Sequence, residues 1–431
     1  MKASKKLFVL TPLCALLAAG SAYATDGYFP IGYGMKAQGM GGASVAATDS
    51  AYTGSNNPAA SAFSGNRVEG DLSLFMPDRG MSRTGAGPLD ASVESGSKTF
   101  LVPALAYTTM LNNEWGAGIT VYGNGGMNTD YAGGEINCGQ GAANVLCGSG
   151  KLGIDLMQLI VAPTIAYKLN ENNSFGLSPL LVYQRFEANG LQAFTQLSTA
   201  PGNVTNNGYD SSTGIGVRLG YMGKLSDQFT VGASYSPKIK MGKFDKYSGL
   251  FAGSGSFDIP ENYTLGVAIK ATPEISLALD YQRINYGGVT SIANPSTLIG
   301  GCMMGNPANC LGGSDGAGFG WSNVNVWKIG AQWQATPQWN LRAGFNRTDN
   351  PIQARDVTFN IIAPGVTTNH YTLGATYTLS TTTEVTFAYM YASENSVSGP
   401  SLYNGMFPGL NATETIRMSQ NSIGVQFGWR W

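Results

Sequence analysis

The chain has 431 residues, with 25 Lys and Arg against 26 Asp and Glu, one His and a formal net charge of −1. That balance excludes a basic nucleic-acid surface. Charged residues are only 12% of the chain while aromatics reach 11% and glycines number 59, whereas a secreted soluble domain carries about twice that charge.

Residues 1–24 have the three parts of a secretory signal. Lys2, Lys5 and Lys6 form the basic region, Leu7–Leu17 the apolar region, and Ala22-Tyr23-Ala24 the small-residue cleavage site. The apolar run is too short to span a membrane. Cys14 follows Leu13, where a lipoprotein site needs a small residue. A mature chain starting at Thr25 loses three lysines and keeps 22 basic against 26 acidic residues, a net charge near −4. It contains no apolar run long enough for a membrane helix. Sparse charge, many aromatics and no apolar helix together point to a transmembrane β-barrel.

Thr25–Ala60 is rich in Gly, Ala and Ser, nearly uncharged, and shows neither a helical stripe nor strand alternation. It reads as a compact plug inside the barrel that follows. The expected organisation is a signal peptide over 1–24, an amino-terminal hatch over 25–65 and a barrel over 66–431.

Fourteen alternating segments follow, near 66–76, 98–110, 114–124, 153–169, 173–187, 212–224, 228–243, 256–271, 274–290, 321–336, 338–349, 366–380, 383–395 and 414–431. An even count suits a bacterial single-chain barrel. Ile275, Leu277, Leu279 and Tyr281 oppose Ser276, Ala278, Asp280 and Gln282. Val385, Phe387, Tyr389 and Tyr391 oppose Glu384, Thr386, Ala388 and Met390, and Ile423, Val425, Phe427, Trp429 and Trp431 oppose Ser422, Gly424, Gln426, Gly428 and Arg430. Successive side chains point to opposite faces, so each apolar set can meet lipid while its partners face the lumen. A soluble β-sandwich also alternates, but aromatics at segment ends (Tyr235, Tyr263, Trp339, Tyr377) fit interfacial girdles better.

Connection lengths are an independent test. Tight polar turns follow every second segment: Leu111-Asn112-Asn113, Asn170-Glu171-Asn172, Ser226-Asp227, Thr272-Pro273, Thr336-Pro337 and Thr381-Thr382. The intervening connections are long, as in 77–97, 125–152, 188–211, 292–320 and 350–365. Short turns on one side and long loops on the other are how outer-membrane barrels treat periplasm and exterior.

Four cysteines remain in the mature chain, all in expected outer loops. Cys138 and Cys147 share one loop, Cys302 and Cys310 another. An even count in an exported protein suggests disulfides, and the two local pairs are the simplest of three connectivities. A metal site has no histidine nearby to support it.

The plug with GYG, GMGGA and then Asn57-Pro58-Ala59 resembles the hatch of FadL/TodX-type outer-membrane transporters of long-chain fatty acids and hydrocarbons. The resemblance continues in Tyr131-Ala132-Gly133-Gly134, Trp327-Lys328-Ile329-Gly330, Asn350-Pro351, Pro364-Gly365-Val366 and His370-Tyr371-Thr372-Leu373-Gly374. It covers essentially the whole mature chain. It implies an all-β fold, a 14-stranded antiparallel transmembrane β-barrel with the hatch inside the lumen, in a Gram-negative outer membrane and working as a monomer. It also implies a route: capture in an apolar groove between outer loops, passage to a pocket against the hatch, and lateral exit into the membrane at an inward kink of the third strand.

On that resemblance the kink falls at Tyr122-Gly123, and glycines at 123, 125 and 126 suit a break in regular pairing. Asn57, Pro58 and Ala59 match the family's hatch anchor. Tyr28, Phe29 and Ile31 either touch ligand or pack within the hatch. Arg185 and Arg283 either meet an acid head group or are ordinary lumen charges. No partner lysine stands near 284–292, which opens the way to uncharged alkanes or aromatics.

Other classes fare worse. The one histidine, His370, lies inside a family-matching motif, and no G-x-S-x-G nucleophile motif occurs, so no catalytic residue is assigned. No phosphate loop or nucleotide motif implies a cofactor. The expected partners are hydrophobic small molecules and outer-membrane lipid. A general diffusion porin is the main alternative, but the amino-terminal segment stands where its open channel would be. An adhesin or structural barrel leaves the hatch unexplained.

Overall fold

The computed structural model describes residues 25–139, 141–406 and 409–431; the expected signal peptide at 1–24 lies outside the described residues. All fourteen expected segments are strands of one antiparallel sheet. They are β1 (Arg67–Thr84), β2 (Phe100–Met110), β3 (Trp115–Tyr131), β4 (Leu152–Asn170), β5 (Asn173–Asn189), β6 (Asp210–Lys224), β7 (Phe229–Ser236), β8 (Asn262–Lys270), β9 (Ile275–Ile284), β10 (Val324–Gln334), β11 (Trp339–Thr348), β12 (Asn369–Thr378), β13 (Thr383–Pro400) and β14 (Thr413–Arg430). Each pairs with the next, and β14 returns to β1 from Arg67 opposite Arg430 to Thr84 opposite Thr413, so the sheet closes into a barrel.

The alternation behaves as expected. Leu277 and Leu279, Phe387 and Tyr389, and Ile423, Val425 and Phe427 are exposed outward, while Asp280, Met390, Ser422 and Gln426 are buried inward. Three strands fall furthest short of their segments. β7 stops at Ser236 because Pro237 has no N–H for the ladder, β8 begins after Pro260, and β9 ends at Ile284 where a 3₁₀ turn starts. β1, β3 and β13 run further outward, to Thr84, Tyr131 and Pro400.

The six tight turns share one device. In each, a side-chain oxygen accepts the backbone N–H groups two and three residues on: Asn112 from Glu114 and Trp115, Asn170 from Asn172 and Asn173, Ser226 from Gln228 and Phe229. Thr272, Thr336 and Ser380 do the same. Such turns close locally and satisfy donors that the ladder leaves free.

Residues 25–66 run inside the ring. Two short helices, α1 (Met35–Gly39) and α2 (Thr53–Asn56), precede a 3₁₀ turn over Pro58–Ala62. Small residues let this segment lie directly on the wall: a Cβ on Gly374 would sit 3.0 Å from the Gly39 Cα, and Gly344 faces Met40 and Gly41 as closely. Charged inward residues hold it. Lys36 Nζ lies 2.6 Å from Glu384 and 3.4 Å from Glu69, Arg342 lies 3.5 Å from Asp49, and Asp280 accepts the N–H groups of Ser44 and Val45 at 2.8 and 3.0 Å. Asn57 donates to the Val45 and Tyr221 carbonyls at 2.7 and 2.9 Å and accepts from Ala59 N at 3.0 Å, while Pro58 and Ala59 lie against Gly176 and Gly220.

Candidate functional site

At the outer end the long connections converge on an apolar groove of about 50 Å³, whose walls include Leu146, Leu191, Phe194, Leu311, Phe319 and Phe359. Ser291, the polar residue in this lining, donates its hydroxyl to the Ser256 carbonyl at 2.5 Å. Two walls are stapled. Cys138–Cys147 and Cys302–Cys310 are disulfides, and Leu146 and Leu311 each sit beside one of these cysteines.

Beneath the groove lies an aromatic cluster around the amino-terminal residues. The Tyr28 ring lies 5.2 Å from Phe29, 5.4 Å from Tyr286, 6.2 Å from Trp321 and 6.3 Å from Phe257. Phe257 in turn lies 4.9 Å from Phe251 in the groove wall. Tyr286 Oη donates to the Asp26 carbonyl at 2.6 Å and accepts from Tyr28 N at 3.1 Å, which fixes the segment at its start. Ile31 is in a separate apolar cluster with Phe75, Val102 and Met390.

The third strand is broken beside this cluster. Tyr122 pairs with Ile160 and Gly123 with Leu159, but Gln158 pairs with Gly125, so Asn124 is one extra residue in β3. Because side chains alternate with period two, an insertion of one reverses which positions face inward. Thr120 and Tyr122 are buried inward before the bulge; Met127, Thr129 and Tyr131 are after it. Gly125 has φ +156°, and a Cβ there would overlap the Tyr28 carbonyl, so glycine is required at this approach.

A chain of amides holds the inserted residue inside. Asn124 accepts from Tyr33 Oη at 3.3 Å and donates to Gln158 at 3.0 Å; Gln158 donates to Gln184 at 3.1 Å; Gln184 donates to Ser212 Oγ at 2.9 Å and to the Phe257 carbonyl at 3.0 Å. Tyr33 also packs edge-on to Tyr122 at 4.5 Å. Burial, reinforced by Tyr122 and opposed by Arg218, pushes the Tyr33 phenol far above its usual range, so it stays a neutral donor.

The bulge leaves a gap in the wall. β2 pairs with β3 only from Met110 opposite Gly116 to Leu105 opposite Val121. Beyond Val121, β3 pairs with β4 alone, and β2 with β1 alone. The next backbone bond across is Gly96 N to the Asp130 carbonyl, 2.7 Å. Between them, on the inner side, a small cavity of about 20 Å³ is lined by Phe75, Arg79, Met127, Trp321, Pro364 and Met418, among others.

The two expected lumen arginines are elsewhere. Arg185 and Arg283 stand at outward positions of β5 and β9, in step with exposed Leu181 and Leu279. Arg185 lies 3.7 Å from Asp155 and over the Tyr209 ring, and Arg283 donates to Asn285 and Asn325 at 3.1 and 2.8 Å. The alternation that sends Leu279 and Tyr281 outward sends Arg283 outward too, a signal present in the sequence. Among the described residues three inward cations have no carboxylate partner within ion-pair distance: Arg218, which donates to the Gly54 carbonyl and Tyr122 Oη at 3.2 and 3.1 Å, Lys328, which donates to the Ile31 carbonyl at 2.7 Å, and Arg79, which donates to the Ser97 and Asn128 carbonyls. His370 is buried with Nδ1 3.2 Å from Asn346 Oδ1. Among the described residues no cluster of His, Cys, Asp or Glu has the makings of a metal site.

The family described as outer membrane protein transport protein (OMPP1/FadL/TodX) matches residues 31–429. The chain belongs to that family. It is therefore an outer-membrane β-barrel that transports hydrophobic compounds. Solved barrels with the same fold include the Pseudomonas putida toluene transporter TodX, with a TM-score of 0.67 and 18% identity, 93% of this chain and 99% of that one being covered. A Pseudomonas aeruginosa FadL homologue gives a TM-score of 0.67 at 14% identity, and the Ralstonia pickettii toluene transporter TbuX 0.61 at 17%, each covering 93% of this chain and 99% of the other. Among curated proteins none matches the chain significantly.

Proposed function

We propose that this FadL/TodX-family barrel takes up small, uncharged hydrophobic molecules, monoaromatic hydrocarbons among them, and releases them sideways through the gap between β2 and β3. The observation that carries the reading is the one-residue bulge at Asn124, which removes the β2 partner of β3 beside a cluster of aromatic rings. A molecule held first in the outer groove and then against Tyr28 and Phe29 keeps its apolar surface out of water at each step, worth roughly 25 cal/mol per Å². Moderate sites in series serve transport, because bound cargo must also leave.

The uncharged class is supported by what faces the path. Groove and cluster carry no charge, Arg185 and Arg283 are outward and engaged, Arg218 and Lys328 donate to hatch carbonyls, and Arg79, the inward cation beside the gap, donates to the Ser97 and Asn128 carbonyls. The hatch, anchored through Asn57, Pro58 and Ala59, blocks free ion flow. The route lies within one ring, so a monomer suffices.

The test is uptake of labelled toluene and labelled oleate by cells lacking their own transporter of this kind, with wild type and with Gly123→Trp, which fills the gap from the outward side. Toluene uptake lost in the variant supports the reading. Oleate uptake in preference to toluene overturns the ligand class. No uptake, with ion conductance through the purified barrel, overturns the reading in favour of a porin.

A further inference from the structure

We infer that Arg79 is a latch across the lateral gap, a side chain that must let go before cargo can leave; this rests on the lateral route proposed above. Arg79 points inward from β1 just above the last β1–β2 pair, Phe75 opposite Phe100. Its guanidinium donates to the Ser97 carbonyl, on the chain entering β2, and to the Asn128 carbonyl, on β3 beyond the bulge. Those two carbonyls belong to the two rims of the gap. Where the backbone ladder is missing, one side chain ties the rims together.

Three features set this arginine apart from an ordinary loop tie. It is buried, yet none of the described carboxylates forms an ion pair with it, and its Nε has no hydrogen-bond partner. Buried charge is normally paired, and an exception calls for a local reason. Its guanidinium lies over the Phe100 ring at 5.6 Å, so the bar has an aromatic rest on the β2 side. And it lines the same small cavity as Met127, Trp321 and Gly126, the space from which a molecule would enter the gap.

The chemistry explains why arginine stands here. Its planar fork presents several N–H groups in fixed directions and can hold two carbonyls at once, whereas an ammonium is a single point. Hydrogen bonds to backbone carbonyls, unlike an ion pair with a carboxylate, leave the tie breakable without stranding a second charge. A cargo ring pressing on the guanidinium face offers it a replacement contact as the carbonyls are released.

The experiment measures initial uptake of labelled toluene by wild type, Arg79→Met and Arg79→Lys, with heat-modifiable gel mobility reporting the folded barrel. A second protein, Ser97→Cys with Asn128→Cys, is cross-linked across the rims, and wild type given the same oxidant and reductant controls for the native disulfides. A folded Arg79→Met should take up toluene at least roughly tenfold faster, because two charge-assisted hydrogen bonds no longer have to break in the opening step, with Arg79→Lys in between. The cross-link should stop uptake until reduced. If the cross-link stops uptake while a folded Arg79→Met is no faster than wild type, the latch is overturned and the lateral route stands. If the cross-linked protein transports normally, both fall.

Discussion

Arg83 and Glu414 face each other in register across the seam between β1 and β14, with Nε 2.7 Å from the carboxylate and neither side chain exposed to solvent. The same pair gathers the outer loops. Arg83 also donates to the Leu89 and Val145 carbonyls at 3.1 and 2.8 Å and lies over the Tyr403 ring, while Glu414 accepts from Ser401 Oγ at 2.9 Å and from Thr358 Oγ1. Removing one member leaves an uncompensated buried charge, which costs about 3–5 kcal/mol. Glu414→Ala should therefore lower the unfolding temperature of the detergent-solubilised barrel clearly, while the surface change Glu394→Ala, at an exposed position of the neighbouring β13, should not.

The amide chain from Asn124 to Gln184 gives a second prediction. Gln158→Leu leaves the Asn124 Nδ2 and the Gln184 Oε1 without their partners in an apolar surrounding, each worth about 1–3 kcal/mol. The bulge should lose its fixed geometry, and toluene uptake should fall while affinity at the outer groove is kept. A binding titration against an uptake rate separates the two; equal losses in both would count against a role confined to the bulge.

Reducing the disulfides should act on the groove and not on the barrel. Each closes a short loop, over sequence separations of 9 and 8, and the order it imposes is worth about 2–3 kcal/mol. Cys138→Ser with Cys147→Ser frees Leu146, and Cys302→Ser with Cys310→Ser frees Leu311. Weaker capture of a fluorescent apolar probe is expected, with the unfolding temperature of the strands unchanged.

Acid should loosen the hatch at its periplasmic side. Asp49 is deep in the barrel but borders a cavity of about 310 Å³, so its side chain is half open to that space. Burial works to raise its carboxyl, and Lys36, Arg342 and Arg67 together outweigh it and hold the carboxyl below its ordinary value of 3.8. A depressed carboxyl stabilises above its ordinary value, and that contribution is lost as pH falls below it. The half-open pair with Arg342 contributes only about 0–1 kcal/mol. Hydrogen exchange of residues 44–57 should quicken modestly below pH 3.8, and Asp49→Asn should remove that change.

The barrel was legible because its rules are local. Period-two alternation in 275–282 and 383–392, and turn residues such as Asn112, Asn170 and Thr336, act through neighbours in the chain. The glycines around Asn124 marked a break in β3 for the same reason, although the reversal of inward positions beyond it, visible at Met127 and Tyr131, needs the partner strand. The interior was harder. Gln158 and Gln184 occupy inward positions among Leu156, Ile160, Val182 and Phe186, and polar residues at such positions are a usable signal. Arg79 gave none, since its meaning depends on two carbonyls from segments brought together only by closure. For Arg185 and Arg283 the parity of their own strands, which sends them outward with Leu181 and Leu279, is a better guide than the family resemblance, which implies the lumen.

The closed seam has a consequence for how the molecule is built. Thirteen of the fourteen strand pairings join neighbours in the chain, and the six self-capped turns let hairpins form one at a time. The pairing of β1 with β14 alone waits for the whole chain to be made. Residues 25–66 are attached to the inner, periplasmic end of β1 and lie within the ring. They have to be in position before those first and last strands zip together, so the hatch is enclosed during assembly, and its small residues double as the former around which the wall is laid.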